Sequence, residues 1–133
     1  ENCKRVKKAT LELPVPFLRQ GLEFVDTPGI GSSIAANTAV TYSFLPECDA
    51  VILVTSVDTP MSAAEIEFLK EIRSFVNKIF LVVNKIDLVA DNEKEEILAF
   101  VSRTIRNQVG NNIAGVCPVS ARMGLSARIS GNK

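Results

Sequence analysis

The sequence contains no histidine among its 133 residues, and its three cysteines are widely spaced. The lack of histidine excludes Ser-His-Asp triads, histidine metal sites and imidazole proton relays. Cys3, Cys48 and Cys117 are odd in number and form no CxxC pair, so neither a disulfide framework nor a zinc site is predicted. Any chemistry must use other side chains, and a reducing, cytoplasmic setting fits the cysteines best.

Long apolar runs are also missing, and the charges are balanced. The apolar runs at residues 50–54 and 79–83 are far shorter than the roughly 20 residues that cross a bilayer. Lys plus Arg and Asp plus Glu number 15 each, so no net field favours nucleic acid or anionic lipid. Hydrophobic residues make up 47% and charged residues 23%, which is typical of one globular domain with a sizeable core.

Short runs rich in β-branched residues alternate with longer segments of helical periodicity. This alternation predicts an α/β fold in which covering helices join the strands of a mostly parallel sheet. We expect strands at residues 22–25, 50–55, 78–83 and 115–119, and an additional edge strand at residues 9–13. The capping box Ser-Ala-Ala-Glu predicts a helix that begins at Ser62. A second helix is expected from near Asp91 to Gly110, and a weaker one from near Asn37 to Pro46.

The first candidate functional motif is Asp-Thr-Pro-Gly at residues 26–29, directly after the first expected strand. A carboxylate at Asp26 can hold a magnesium ion through water, because this ion keeps part of its hydration shell. Gly29 lets a backbone N–H approach a phosphate oxygen with no Cβ in the way. Taken alone, the four residues are more typical of an ordinary turn than of a nucleotide site. The strand that precedes them favours the functional interpretation.

The second motif is Asn-Lys-Ile-Asp at residues 84–87, after a strand expected to be buried. The carboxylate of Asp87 can accept hydrogen bonds from N1–H and the exocyclic amine of guanine, whereas adenine offers an acceptor at N1. Lys85 can lay its aliphatic stem over the base plane, and Asn84 can tie the loop to neighbouring backbone. The alternative is an ordinary polar loop between a strand and a helix. The position of the motif favours a base filter.

The third motif, Ser-Ala-Arg at residues 120–122, follows the last expected strand. The small side chain of Ala121 allows its N–H to approach guanine O6, and Ser120 can brace the turn. Any short loop could contain these residues, Arg122 included. Their order in the chain, after a phosphate motif and a base-filter motif, makes chance a poor explanation.

Together, these three motifs resemble the third, fourth and fifth nucleotide motifs of GTPase G domains. The segments at residues 22–33, 44–51 and 59–65 resemble bacterial dynamin-family proteins. Era-like GTPases share a near variant of the first motif and stay an alternative. The resemblance implies a three-layer G domain in residues 1–133 that binds GTP or GDP with magnesium and hydrolyses GTP. It implies the following roles: Gly29 at the γ-phosphate, Asp26 at magnesium, and Asn84, Lys85, Asp87, Ser120, Ala121 and Arg122 at guanine.

None of the seven glycines is followed by lysine, so the Gly-x-x-x-x-Gly-Lys-Ser/Thr phosphate loop is not in this sequence. We therefore expect a partial G domain that lacks the first strand, the phosphate loop and the first helix. Such a fragment is expected to be inactive by itself. The resemblance also implies a mobile switch at residues 30–37, self-association of the parent protein, and membrane contact only through regions outside this chain. A non-catalytic G-like interaction module is the competing functional interpretation.

Overall fold

The computed structural model describes residues 8–27, 29, 35–110 and 113–131. These residues form four α-helices and three β-strands, with short 3-10 turns at Pro16–Gln20, Leu45–Glu47 and Ile86–Leu88. The elements in chain order are α1 (Ala35–Phe44), β1 (Val51–Ser56), α2 (Ala63–Ile72), β2 (Ile79–Asn84), α3 (Asp91–Gln108), β3 (Ile113–Pro118) and α4 (Ala121–Ile129). The predicted α/β class is confirmed, as are the strands β1, β2 and β3 and the helices α2 and α3.

The three strands form one parallel sheet in the order β1-β2-β3. The pairing runs from Val51 opposite Ile79 to Ser56 opposite Asn84, and Val83 lies opposite Pro118 on the third strand. Helices α2 and α3 provide the long crossovers that parallel neighbours need. Because all three strands point the same way, the loops that follow Ser56, Asn84 and Pro118 meet at one edge of the sheet.

The core lies between one face of the sheet and the helices α2 and α3. Alternate strand residues point toward this side, and Leu81 and Val83 of β2 are fully buried there. They belong to one cluster with Leu69 and Ile72 of α2 and Val101 of α3. Full burial of each such side chain contributes about 1.5–3 kcal/mol. This cluster holds β2 in place and therefore fixes the start of the loop that follows Asn84.

The opposite face of the sheet is open among the described residues. Ile52, Val54 and Phe80 point to this side and are 51%, 54% and 38% exposed. Helix α4 buries none of its side chains, and its Leu125 is also exposed. The described part of the chain thus contains two of the three predicted layers, the sheet and the helices on one face.

Helix α2 begins as the sequence predicts. The Ser62 hydroxyl accepts a hydrogen bond from the Glu65 N–H at 3.3 Å, and the Glu65 carboxylate accepts one from the Ser62 N–H at 2.7 Å. This reciprocal pair satisfies two donors that the first turn of a helix would otherwise leave free. Met61 precedes the cap and is buried, so the chain enters the helix from the core.

Three expectations about local structure were wrong. Residues 9–13 and 22–25 are irregular rather than strands, and Phe24 is 64% exposed against the edge of the Phe17 ring. An apolar run becomes a strand only where a neighbour satisfies its N–H and C=O groups, and no described strand lies beside these two segments. Residues 121 and 122, expected in a loop, begin α4 instead. The switch was expected at residues 30–37. Residues 30–34 lie outside the described residues, and residues 35–37 belong to the start of α1.

Candidate functional site

The loops after β2 and β3 are joined by the side chain of Asn84. Its Oδ1 accepts hydrogen bonds from the N–H of Lys85 at 2.7 Å and from the N–H of Ala121 at 3.1 Å. A further bond runs from the Ile86 N–H to the Val119 carbonyl at 3.1 Å. These bonds bring the Asn-Lys-Ile-Asp and Ser-Ala-Arg segments, 37 residues apart in the chain, into one cluster. Asn84 therefore ties its loop to neighbouring backbone, as predicted.

Asp87 lies at the centre of this cluster. Its side chain is only 6% exposed, and its Oδ2 lies 2.5 Å from Nη2 of Arg122, whose own side chain is 72% exposed. The other carboxylate oxygen, Oδ1, is buried and has no hydrogen-bond partner among the described residues. Buried acceptors are nearly always satisfied in native proteins. Oδ1 is therefore an unused acceptor, and because this atom is closed to solvent, a ligand can donate to it only if the side chains that cover it move aside.

The pKa of Asp87 is held below its ordinary value of 3.8. The hydroxyl of Ser120 makes the largest contribution, because a donor stabilises the ionised carboxylate. Burial opposes this shift, while the backbone of Asp87 and the charge and hydrogen bond of Arg122 lower the pKa further. Asp87 is therefore ionised at neutral pH and acts purely as an acceptor.

Lys85 adopts a left-handed backbone conformation, with a φ of 64°, at the turn between β2 and the 3-10 turn. Its Nζ lies 2.6 Å from Oδ2 of Asp58, and the Ser56 hydroxyl donates to the same oxygen at 2.9 Å. Sequence reasoning did not identify Asp58. The signal was available, because Asp58 follows β1 at the same edge of the sheet where the other motifs follow their strands.

Asp26 and Gly29 are exposed and lie in irregular chain. Among the described residues, we find no hydrogen bond or ion pair that joins either of them to the Asp87 cluster. A Cβ built at Gly29 would meet nothing within 4 Å, so packing alone does not require glycine there. The same ranges contain no group of three acidic, cysteine or histidine residues that could hold a metal. Asp26 is a single carboxylate and does not by itself make a magnesium site.

The Ala121 N–H, predicted to face guanine O6, is donated to Asn84 in this structure. A contact with O6 would share that hydrogen. The Ser120 hydroxyl accepts a hydrogen bond from the Met123 N–H at 3.1 Å and caps α4. This bond stabilises the turn after β3, the role that the sequence suggested for Ser120. Six of the eight predicted site residues thus lie together, while Asp26 and Gly29 have no described link to them.

The sheet order and the loop cluster are those of a G domain. The chain superposes with a TM-score of 0.62 on a solved structure described as "An oligomerised bacterial dynamin pair provides a mechanism for the long-range sensing and tethering of membranes". The match covers 77% of this chain and 19% of the solved chain at 22% identity, so it supports the fold alone. The structure therefore has the fold of a partial G domain.

The chain belongs to the dynamin family, because the family model "Dynamin family" matches residues 1–87. An uncharacterised protein encoded in the xynA 3′ region of Caldicellulosiruptor sp. (strain Rt8B.4) is 42% identical over 133 residues, all of this chain and 33% of that protein. The probable transmembrane GTPase FZO-like, chloroplastic, of Arabidopsis thaliana is 33% identical over 89% of this chain and 13% of its own length. The bacterial dynamin-like protein of Nostoc punctiforme is 28% identical over 88% of this chain and 18% of its own length.

The chain therefore spans a third or less of these relatives. Within the described ranges, no helix combines the length and apolar character that a membrane crossing requires.

Proposed function

We propose that this chain contributes the guanine-recognition part of a G domain that binds GTP and hydrolyses it. The ionised Asp87 accepts hydrogen bonds from N1–H and the exocyclic amine of guanine, and Lys85 covers one face of the base with its stem. Asn84 holds the two loops together. Ser120, Ala121 and Arg122 line the side of the site formed by the start of α4.

The observation that carries this proposal is the state of the Asp87 carboxylate. It is almost buried, its pKa is lowered, and Oδ1 has no donor among the described residues. A base with two adjacent N–H donors satisfies such a group, whereas adenine would place its N1 acceptor against a negative oxygen. A site of this kind discriminates strongly, because the wrong base leaves its polar groups buried and unpaired.

Hydrolysis is proposed on the strength of family membership. A GTPase is named among the relatives, and we assign to Gly29 a backbone N–H contact with the γ-phosphate. Asp26 is proposed as a water-mediated magnesium contact. The described residues supply no second ligand for this ion. We also propose that the parent protein self-associates, that its membrane contacts lie outside these residues, and that it is cytoplasmic, at most peripheral to the membrane.

A base-swap experiment on the full-length protein that carries this chain tests the proposal. In Asp87→Asn the side chain presents an amide donor, which suits the C2 carbonyl of xanthine rather than the C2 amine of guanine. We expect the GDP affinity of Asp87→Asn to fall on the order of a hundredfold or more. The variant should then bind XDP more tightly than GDP. Asp91→Asn, an exposed carboxylate paired with Lys94 on α3, is the control and should leave the GDP affinity unchanged.

Equal GDP affinities for wild type and Asp87→Asn would remove the base-filter role. Phosphate release by the full-length wild type distinguishes the GTPase from a non-catalytic module. Tight GTP binding without turnover would favour the module.

A further inference from the structure

The loop between β1 and α2 is hydrogen-bonded to the end of β2, where the Asn-Lys-Ile-Asp segment begins. The Val57 N–H donates to the Asn84 carbonyl at 3.2 Å, and the Met61 N–H donates to the Thr55 hydroxyl at 3.3 Å. Val57, Met61 and Thr55 are all at least 93% buried. These hydrogen bonds and the burial of Val57 and Met61 fix the chain on both sides of Asp58.

Asp58 is ionised and has two donors. Its Oδ2 accepts from Lys85 Nζ at 2.6 Å and from the Ser56 hydroxyl at 2.9 Å. The bond from Lys85 is the largest cause that lowers the pKa of Asp58, followed by the bond from Ser56, while burial opposes them. The carboxylate therefore keeps its charge throughout the neutral range.

Lys85 is held at both ends. Its backbone N–H donates to Asn84 Oδ1, and its carbonyl accepts from the Leu88 N–H at 2.9 Å. Its ammonium group is held by Asp58, so the four methylene groups between these ends are confined to a narrow range of rotamers. Lysine has one of the largest side-chain entropies to lose on ordering.

We propose that Asp58 is a positioning residue for nucleotide binding, which orients Lys85 before the base arrives. This inference rests on the proposed guanine site. Asp58 does not touch the base in this scheme; it fixes the ammonium group so that the lysine stem forms one wall of the site. Less entropy is then lost when the base binds, which raises affinity by pre-organisation.

The size of the effect follows from the exposure of the pair. The side chains of Lys85 and Asp58 are 51% and 47% exposed, and ion pairs of this kind contribute little to folding. We expect the loss of Asp58 to lower GDP affinity by about two- to fivefold, mainly through faster dissociation. Salt should reduce the difference, because exposed charges are screened.

A double-mutant cycle in the full-length protein tests the inference, with GDP affinity and dissociation rate measured at low and high salt. The variants are wild type, Asp58→Asn, Lys85→Met and the double variant. Methionine keeps an unbranched apolar stem but carries no charge for Asp58 to hold. We expect Asp58→Asn to weaken binding in the wild-type background and to have no effect in the Lys85→Met background. Asp91→Asn is the matched acidic control and should not change the dissociation rate.

Two results would overturn the inference: an unchanged GDP affinity in Asp58→Asn, or the same loss in both backgrounds, which would show that Asp58 acts without Lys85. A thermal unfolding curve of Asp58→Asn that matches wild type separates the effect from a loss of fold. If wild type binds GDP and Asp87→Asn shifts preference to XDP while Asp58→Asn binds normally, only the Asp58 inference fails. If wild type does not bind GDP, the proposed function fails with it.

Discussion

The guanidinium of Arg122, in the first turn of α4, lies 2.5 Å from Oδ2 of Asp87, in the 3-10 turn that follows β2. The arginine is largely in solvent and the carboxylate is almost buried. Arg122 therefore contacts Oδ2 of Asp87 from the solvent side, while Oδ1 has no hydrogen-bond donor among the described residues. A carboxylate oxygen can accept more than one hydrogen bond, so this ion pair is compatible with a bound base.

We predict that Arg122→Gln raises the pKa of Asp87 toward its ordinary value of 3.8. The substitution removes a positive charge whose attraction favours the ionised carboxylate. The side-chain carboxyl ¹³C resonance of Asp87, followed by NMR through an acid titration, measures the shift. Arg128→Gln, in the last turn of the same helix, is the control and should leave the titration in place. If Asp87 titrates at the same pH in Arg122→Gln as in wild type, the ion pair does not stabilise the ionised carboxylate.

The lowered pKa of Asp87 also predicts a pH dependence of stability. A carboxylate with a depressed pKa in the folded state stabilises the fold above its unfolded value, near 3.8, and loses this contribution as pH falls through the folded value. We therefore expect the stability difference between wild type and Asp87→Asn to be constant from pH 7 to about 5. Below pH 3.8, wild type should lose stability relative to Asp87→Asn.

Urea unfolding at pH 7, 5 and 3 measures this difference. A gain of wild type over Asp87→Asn at the lowest pH would contradict the assigned direction of the shift.

We predict that Ser62→Ala destabilises the fold by about 0.5–2 kcal/mol. The hydroxyl of Ser62 accepts the Glu65 N–H, and alanine leaves that donor without its cap. The free energy of unfolding in urea measures the loss. Ser74→Ala is the matched control, because that exposed hydroxyl donates to the Glu71 carbonyl after the helix ends. Its cost should stay within about 0.5 kcal/mol, as for most surface substitutions. Equal costs for the two variants would argue against the capping box.

Much of the fold could be predicted because its signals are local. The runs at β1 and β2 are apolar on both faces, and the capping box marks the start of α2 within four residues. The run at residues 22–25 has similar composition but is irregular and exposed in the structure. Strand formation there depends on a partner elsewhere in space, which no local pattern encodes. The start of α4 at Ala121 was missed because Ser120, its N-cap, was interpreted only as part of a turn.

The residue types at the candidate site were set by the sequence alone: an acidic acceptor at position 87, a lysine at 85, and a small residue at 121, each just after a strand. Their assembly depended on the tertiary structure, because only the parallel pairing of β2 with β3 brings Asn84 within hydrogen-bonding distance of the Ala121 N–H. The same holds for Asp58, whose contact with Lys85 spans 27 residues and arises from the pairing of β1 with β2. The sequence shows which residue types follow each strand. The distances between those residues depend on which strands lie side by side in the sheet.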